Sequence, residues 1–195
     1  MGAFGDEHPL HLADRPLGAA IGTPASDADD HNWPVHRVPR DVSVQLFRRR
    51  PAPELFLMLH RNPDLGGFWQ PVTGAPLPRE SELNAAIREV CEETGLDVSE
   101  TIFPLDVRYR YRLDPARSAH WEQVYGPGVS AIDVIAFAAE IEQSAPELNG
   151  VEHQGFRWFA YEDAASAMEW PVESDALAGR LAALTALKQL LSNMH

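Results

Sequence analysis

Between Ser81 and Gly95 the chain carries Leu83, Ala86, Ile87 and Val90, a spacing that a helix gathers onto one side. Gly95 follows where the backbone must enter the left-handed region to end such a helix. At about 100° per residue, Glu89, Glu92 and Glu93 stand at roughly 0°, 300° and 40°, so the three carboxylates share one face. Leu83, Ile87, Val90 and Thr94 fall opposite them. The spacing therefore predicts a helix over 81–94 that packs its apolar side on a sheet and presents its acidic side.

The flanking segments supply that sheet. Val42–Phe47 and Glu54–Leu59, separated by a turn marked by Pro51 and Pro53, read as neighbouring strands. Asn62–Gly67 is a loop, and Phe68–Val72 a short strand leading to Gly74. Val107, Tyr109, Tyr111 and Leu113 alternate with Arg108, Arg110 and Arg112, the period of a strand with two unlike faces. Ile132–Ile141 and Gly155–Phe159 are further strands. A break at Trp170-Pro171 precedes an amphipathic helix over 175–191. The fold class is α/β, with helices packed on sheet. Residues 1–37, rich in Gly, Ala, Asp, His and Pro, read as an irregular extension, and 38–195 as the domain.

Charge narrows the partners. Acids outnumber bases 29 to 16, a net charge of −13, which excludes a general attraction to nucleic acid or an anionic membrane. A lone cysteine, Cys91, forms no internal disulfide. The N-terminus lacks a basic start with an apolar stretch, and the longest apolar run, 131–141, is broken by Asp133 and Glu140. Cytoplasmic location without a membrane span is the expectation.

Three clustered carboxylates repel one another, which raises the pKa of at least one unless a counter-charge intervenes. A hard, oxygen-seeking divalent cation answers this, and Mg²⁺, with Mn²⁺ as the alternative, also carries phosphate ligands. It would let an acidic protein hold a polyphosphate. Arg88, one turn before Glu92, can orient these groups. Against this stands the plain alternative of a solvated acidic helix face.

The whole segment decides between them. Gly74, five residues, Glu80, seven residues, Arg88-Glu89, apolar Val90, Cys91, Glu92-Glu93, Thr94, Gly95 and apolar Leu96 match the Nudix box at every position. Seven fixed residues at typical frequencies would meet by chance in such a chain roughly once in a million. The chain thus resembles the Nudix hydrolases. That resemblance implies an α/β/α sandwich with a mixed sheet, and hydrolysis of a diphosphate linkage in a nucleoside-diphosphate-like compound. It assigns Glu89, Glu92, Glu93 and the Gly74 carbonyl to the metal, Arg88 to orientation, and Glu80 either to support of the metal site or to the helix N-terminus.

Phe68–Gly74, Tyr125–Val129 and Glu152-His153 look like the bacterial dihydroneopterin triphosphate diphosphatases within that family. Dihydroneopterin triphosphate is then the leading substrate. Dinucleoside polyphosphates, nucleoside triphosphates, nucleotide sugars and a non-catalytic nucleotide-sensing domain are the alternatives. Glu92 and Glu152, with Arg88, form the candidate catalytic set, with Glu147 competing with Glu152. Trp69 and Gln70 could stack on and read a flat heterocycle, or pack in the core. Arg61 is the candidate phosphate contact, and Tyr125 a further substrate contact. His153 reads as a structural hydrogen-bonding residue, Arg108, Arg110 and Arg112 as a solvated face before a phosphate row, and Arg48-Arg49-Arg50 as surface charge. A small nucleotide or pterin polyphosphate is the expected partner, and a homodimer is left open.

Overall fold

The strand Arg40–Arg48 (β1) is buried on both sides, which only a central position in a covered sheet permits. In the computed structural model, which describes residues 36–50, 52–142, 145–148, 150–168 and 174–194, six more strands surround it: Leu55–Arg61 (β2), Trp69–Gln70 (β3), Val72–Gly74 (β4), Ile102–Arg112 (β5), Ala131–Glu140 (β6) and His153–Phe159 (β7). The helices are Glu82–Thr94 (α1), Ser118–Tyr125 (α2), Tyr161–Ala167 (α3) and Ser174–Ser192 (α4). The expected break at Trp170-Pro171 lies outside the described residues, as do residues 1–35 of the expected extension over 1–37.

The sheet runs β3-β2-β1-β6-β5, with β4 also on β1 and β7 also on β2. Only β1 and β6 are parallel, so the sheet is mixed. Val42, Val44 and Leu46 of β1 pack with Leu57, Leu59, Val72 and the α1 residues Ala85, Ala86 and Val90. On the other side Phe47 packs with Phe56, Met58, Phe159 and the α4 residues Ala183, Leu184, Leu187 and Leu191. Helices therefore cover both faces, the expected α/β/α sandwich.

Two local details position the site. First, β1 meets β4 through Val42–Val44 and β2 only through Leu46–Arg48, so β2 and β4 diverge along one edge of β1. Second, the strand expected over Phe68–Val72 is two short strands, because Pro71 has no N–H to donate and turns the chain from β2 to β1. Gly74 at the end of β4 is thereby delivered to the start of the segment leading into α1.

Helix α1 begins and ends as its chemistry requires. The Ser81 hydroxyl accepts the Asn84 N–H at 3.1 Å, and Gly95 takes φ 69°. Its faces differ from the expectation. Leu83 is 42% exposed, whereas the buried set is Ala85, Ala86, Val90, Glu93 and Thr94. Glu93 sits within the buried arc, near Arg61 at the end of β2, Thr73 of β4 and His153 of β7. Helices α2 and α3 were not expected: α2 buries no residue, and α3 buries only Ala164, so neither offers a sustained apolar stripe to read.

Helix α4 approaches the sheet over small residues, with Ala136 and Ala138 beneath it and the Tyr109 ring laid against Gly179, where a Cβ would overlap the ring. Gly-to-Ala inside a helix ordinarily gains about 0.5–1 kcal/mol. Here overpacking reverses the sign: Gly179→Ala should lose about 1–2 kcal/mol in denaturant unfolding, and a gain would show that the ring contact is not tight.

Candidate active site

Arg88 organises the N-terminal half of the site. Its Nε donates to Glu80 Oε1 at 3.0 Å, and Nη2 donates to Glu80 Oε2 at 2.8 Å and to the Ala75 carbonyl at 3.0 Å. Its Nη1 donates to Glu89 Oε1 at 2.8 Å and to Glu92 Oε2 at 3.1 Å. All five guanidinium hydrogens are thus engaged, a use that Lys could not reproduce. These bonds and the neighbouring charges hold Arg88 protonated well above the usual range. Glu80 also accepts the Leu77 N–H at 2.8 Å, and Arg88 keeps its carboxyl below the ordinary value. Loop 75–80 is therefore tied to α1 by a single guanidinium.

The second half is built from three other elements. Arg61, buried at the end of β2, donates through Nη2 to Glu152 Oε2 at 3.4 Å. The backbone fixes this pairing, since the Asn62 N–H donates to the Glu152 carbonyl at 2.8 Å and the Gln154 side chain donates to the Arg61 carbonyl at 2.9 Å. Glu93 is 4% exposed, lies beside the Thr73 backbone N–H, and has its Oε2 3.9 Å from His153 Nδ1. Gly74 lies so close to Glu89 that a Cβ there would overlap the carboxylate.

Burial dominates the electrostatics. It pushes Glu89 up to about 7 against the pull of Arg88, with the Glu92 and Glu152 charges adding to the rise. Burial, then Glu89 and Glu152, hold Glu93 well above the carboxylate range, opposed by Arg61 and the Thr73 N–H. His153 is pushed down to about 4 by burial and by Arg61, so near neutral pH it is uncharged and gives Glu93 no ion pair.

Glu89, Glu92, Glu93 and Glu152 thus converge with Arg61 and Arg88. Among the described residues no three carboxylate, imidazole or thiol side chains already form a closed cage. Arg88 holds Glu89 and Glu92, while Glu93 is turned inward. Three observations nonetheless fit a hard divalent cation: an all-oxygen donor set, a buried Glu93 Oε2 without a hydrogen-bond partner, and the cradle at Gly74.

Other sequence candidates lie around this centre. Trp69 is half-buried, with His60 stacked on it at 4.4 Å and Phe159 edge-on at 5.2 Å. Gln70 is fully buried and donates to Thr73 Oγ1 at 3.3 Å. Tyr125 ends α2, packs near Trp121, and has its hydroxyl pushed up to about 12 by burial and the Asp41 charge. Arg108, Arg110 and Arg112 form an exposed row, in which Arg110 pairs with Asp133 and Arg112 with Asp175. Arg49 pairs with Glu140, and Arg48 lies over the Trp158 ring at 4.6 Å.

Sequence reasoning missed Arg180. It is 5% exposed, donates to Gln70 Oε1 at 3.1 Å, and lies 5.9 Å from the Phe68 ring centroid, which Arg61 also approaches, at 5.8 Å. A signal existed: on α4 it falls in the stripe of Ala176, Ala183, Leu184 and Leu187, where a charge needs a buried partner.

The family model described as the NUDIX domain matches residues 38–178. An octanoyltransferase of Myxococcus xanthus is 33% identical over 67% of this chain, which spans only 32% of that protein's length. A bis(5'-nucleosyl)-tetraphosphatase (asymmetrical) of Rattus norvegicus is 27% identical over 67% of this chain and 85% of its own. A dihydroneopterin triphosphate diphosphatase of Haemophilus influenzae is 30% identical over 71% and 84%. The solved E. coli dihydroneopterin triphosphate pyrophosphohydrolase shares the fold, with a TM-score of 0.62 at 24% identity over 82% of this chain and 99% of its own.

The buried acids dictate a pH signature. Glu89 and Glu93 have folded pKa values above the ordinary 4.5, so folding takes up protons, and stability falls as pH rises toward and beyond about 7. His153 has the opposite sign, adding stability as pH rises from about 4 to its ordinary 6.5. Above about 6.5 only the acids remain. In EDTA the melting temperature should therefore drop as pH rises from about 6.5 through 7, and Glu89→Gln should flatten the slope. A level profile for the unsubstituted protein would contradict the burial argument.

Proposed function

The chain belongs to the Nudix family, and on that premise we propose that it is a cytoplasmic, divalent-metal-dependent diphosphohydrolase whose leading substrate is dihydroneopterin triphosphate. The observation that supports this reading is the seating of the Glu89 carboxylate against Gly74, with Arg88 bonded to Glu89 and Glu92, Arg61 bonded to Glu152, and Glu93 buried beside them. A merely solvated acidic face would leave Glu93 in water.

Glu89, Glu92, Glu93 and the Gly74 carbonyl would hold Mg²⁺ or Mn²⁺. The bound ion would offset phosphate charge and lower the pKa of a coordinated water. The chain's own residues supply the rest. Arg88 fixes Glu89 and Glu92 relative to loop 75–80. Arg61, whose buried Nε has no partner, turns a cation toward the phosphate oxygens. Glu152, paired with Arg61 and with its side chain 28% exposed, takes the proton of the attacking water, with Glu92 as the alternative. The water oxygen bonds to phosphorus, the anhydride P–O bond breaks, and diphosphate leaves. Trp69 and Gln70, engaged with His60 and Thr73, serve as the frame of the site in this reading.

Relatives named as asymmetrical bis(5'-nucleosyl)-tetraphosphatases match over 67% of this chain, which favours dinucleoside polyphosphates as the second reading. Assays of dihydroneopterin triphosphate, dinucleoside tetraphosphates and nucleotide sugars, each with Mg²⁺ and Mn²⁺ and followed by loss of the starting compound, should show the fastest turnover with the first, with diphosphate as its product. Glu93→Gln should reduce turnover at least several-hundredfold while the circular dichroism spectrum stays folded. Recovery of every compound bound but uncleaved would identify a sensing domain instead.

A further inference from the structure

The segment delivering Thr73 and Gly74 to the carboxylates has little backbone support. Strand β3 has two paired residues, β4 has three, and Pro71 between them donates nothing. A buried side-chain path supplies what the ladder does not. Arg180 of α4 donates from Nη2 to Gln70 Oε1 at 3.1 Å, and Gln70 Nε2 donates to Thr73 Oγ1 at 3.3 Å. The backbone N–H of Thr73 in turn lies beside the Glu93 carboxylate and favours its charged form. Both bonds of the Gln70 amide use it in one orientation, oxygen toward the cation and nitrogen toward the hydroxyl. Arg180, Gln70 and Glu93 are each at most 5% exposed, so water does not substitute readily for a lost member.

We propose that Arg180, Gln70 and Thr73 form a positioning relay through which the C-terminal helix sets the placement of Glu93, and with it the affinity of the site for a divalent cation. The relay rests on the reading of Glu93 as a metal ligand and goes beyond it, because none of these three residues touches the ion. Truncating Arg180 leaves the Gln70 oxygen unpaired in the interior and frees the amide to rotate. The Thr73 hydroxyl then loses its donor, and the short β3–β4 corner shifts the N–H and carbonyl that face α1. Groups that orient a metal ligand typically change affinity 10–100-fold when removed.

Mn²⁺ alone, titrated against full-length protein and followed by the free-ion paramagnetic resonance signal, gives a readout independent of turnover. Arg180→Met should weaken binding about tenfold and Thr73→Val about threefold. The double variant should be no weaker than Arg180→Met, because the two act on one path. Arg180→Lys, keeping a cation and a donor, should recover part of the loss. Thr73→Val changes little volume, so it remains a test if Arg180→Met does not fold. A lowered melting temperature with unchanged Mn²⁺ affinity in Thr73→Val and Arg180→Met would make the path structural only and overturn the relay. Losses that add in the double variant would also overturn it. Undiminished Mn²⁺ binding by Glu93→Gln would instead overturn the metal reading, a failure separable from that of the relay.

Discussion

A carboxylate buried in the sheet-facing arc of a helix is the constraint around which this molecule is arranged. Desolvating Glu93 costs several kcal/mol unless charge and hydrogen bonds answer it. The protein answers only in part: one backbone N–H from Thr73, the field of Arg61, and a neutral imidazole at 3.9 Å. A fold selected only for stability would place an apolar residue here, as it does at neighbouring Ala86 and Val90. The residual deficit is the expected mark of a site that a cation completes.

The arginines divide the remaining work by how many of their donors the protein itself uses. Arg88 has all five hydrogens engaged, so it serves geometry, binding Glu80, Glu89, Glu92 and loop 75–80 into one unit. Arg61 makes one long bond to Glu152 and retains an unpartnered Nε, so it can exchange partners at small cost. A saturated guanidinium suits a frame, and an unsaturated one suits a ligand with phosphate oxygens.

Much of this was legible before any coordinates. The period of 81–94 with its Ser81 and Gly95 ends, the alternation over 107–113 and the apolar runs at 42–47 and 132–141 pointed to α1, β5, β1 and β6, because each carries a local signal. Spacing and resemblance nominated the box residues and Glu152, and the structure pairs Arg88 with Glu80, Glu89 and Glu92, and Arg61 with Glu152. The burial of Glu93 was not legible: helical angles say which residues share a face, but not which arc the sheet and the neighbouring strand ends cover. Leu83 looked buried by period and is exposed because α1 turns that edge away from the sheet. Arg180 is 119 positions after Arg61, and no local pattern joins residues brought together by packing two helical layers on opposite faces.

That separation explains why a hydrolytic site of this kind needs the second helical layer at all. Helix α1 could bury Ala85, Ala86 and Val90 on the sheet without α4, since the two lie on opposite faces. Yet the corner carrying Gly74 is held by only a few ladder bonds, and Gly74 must stay within overlap distance of Glu89 for any larger residue. A segment so lightly held fluctuates unless its side chains are anchored from elsewhere. Gly179 lets α4 settle against the Tyr109 ring, and the next residue, Arg180, reaches through to Gln70 at that corner. Close approach at a glycine and an arginine beside it thus couple the packing of the far layer to the placement of acids on the near one, which a sheet covered on one face alone has no means to do.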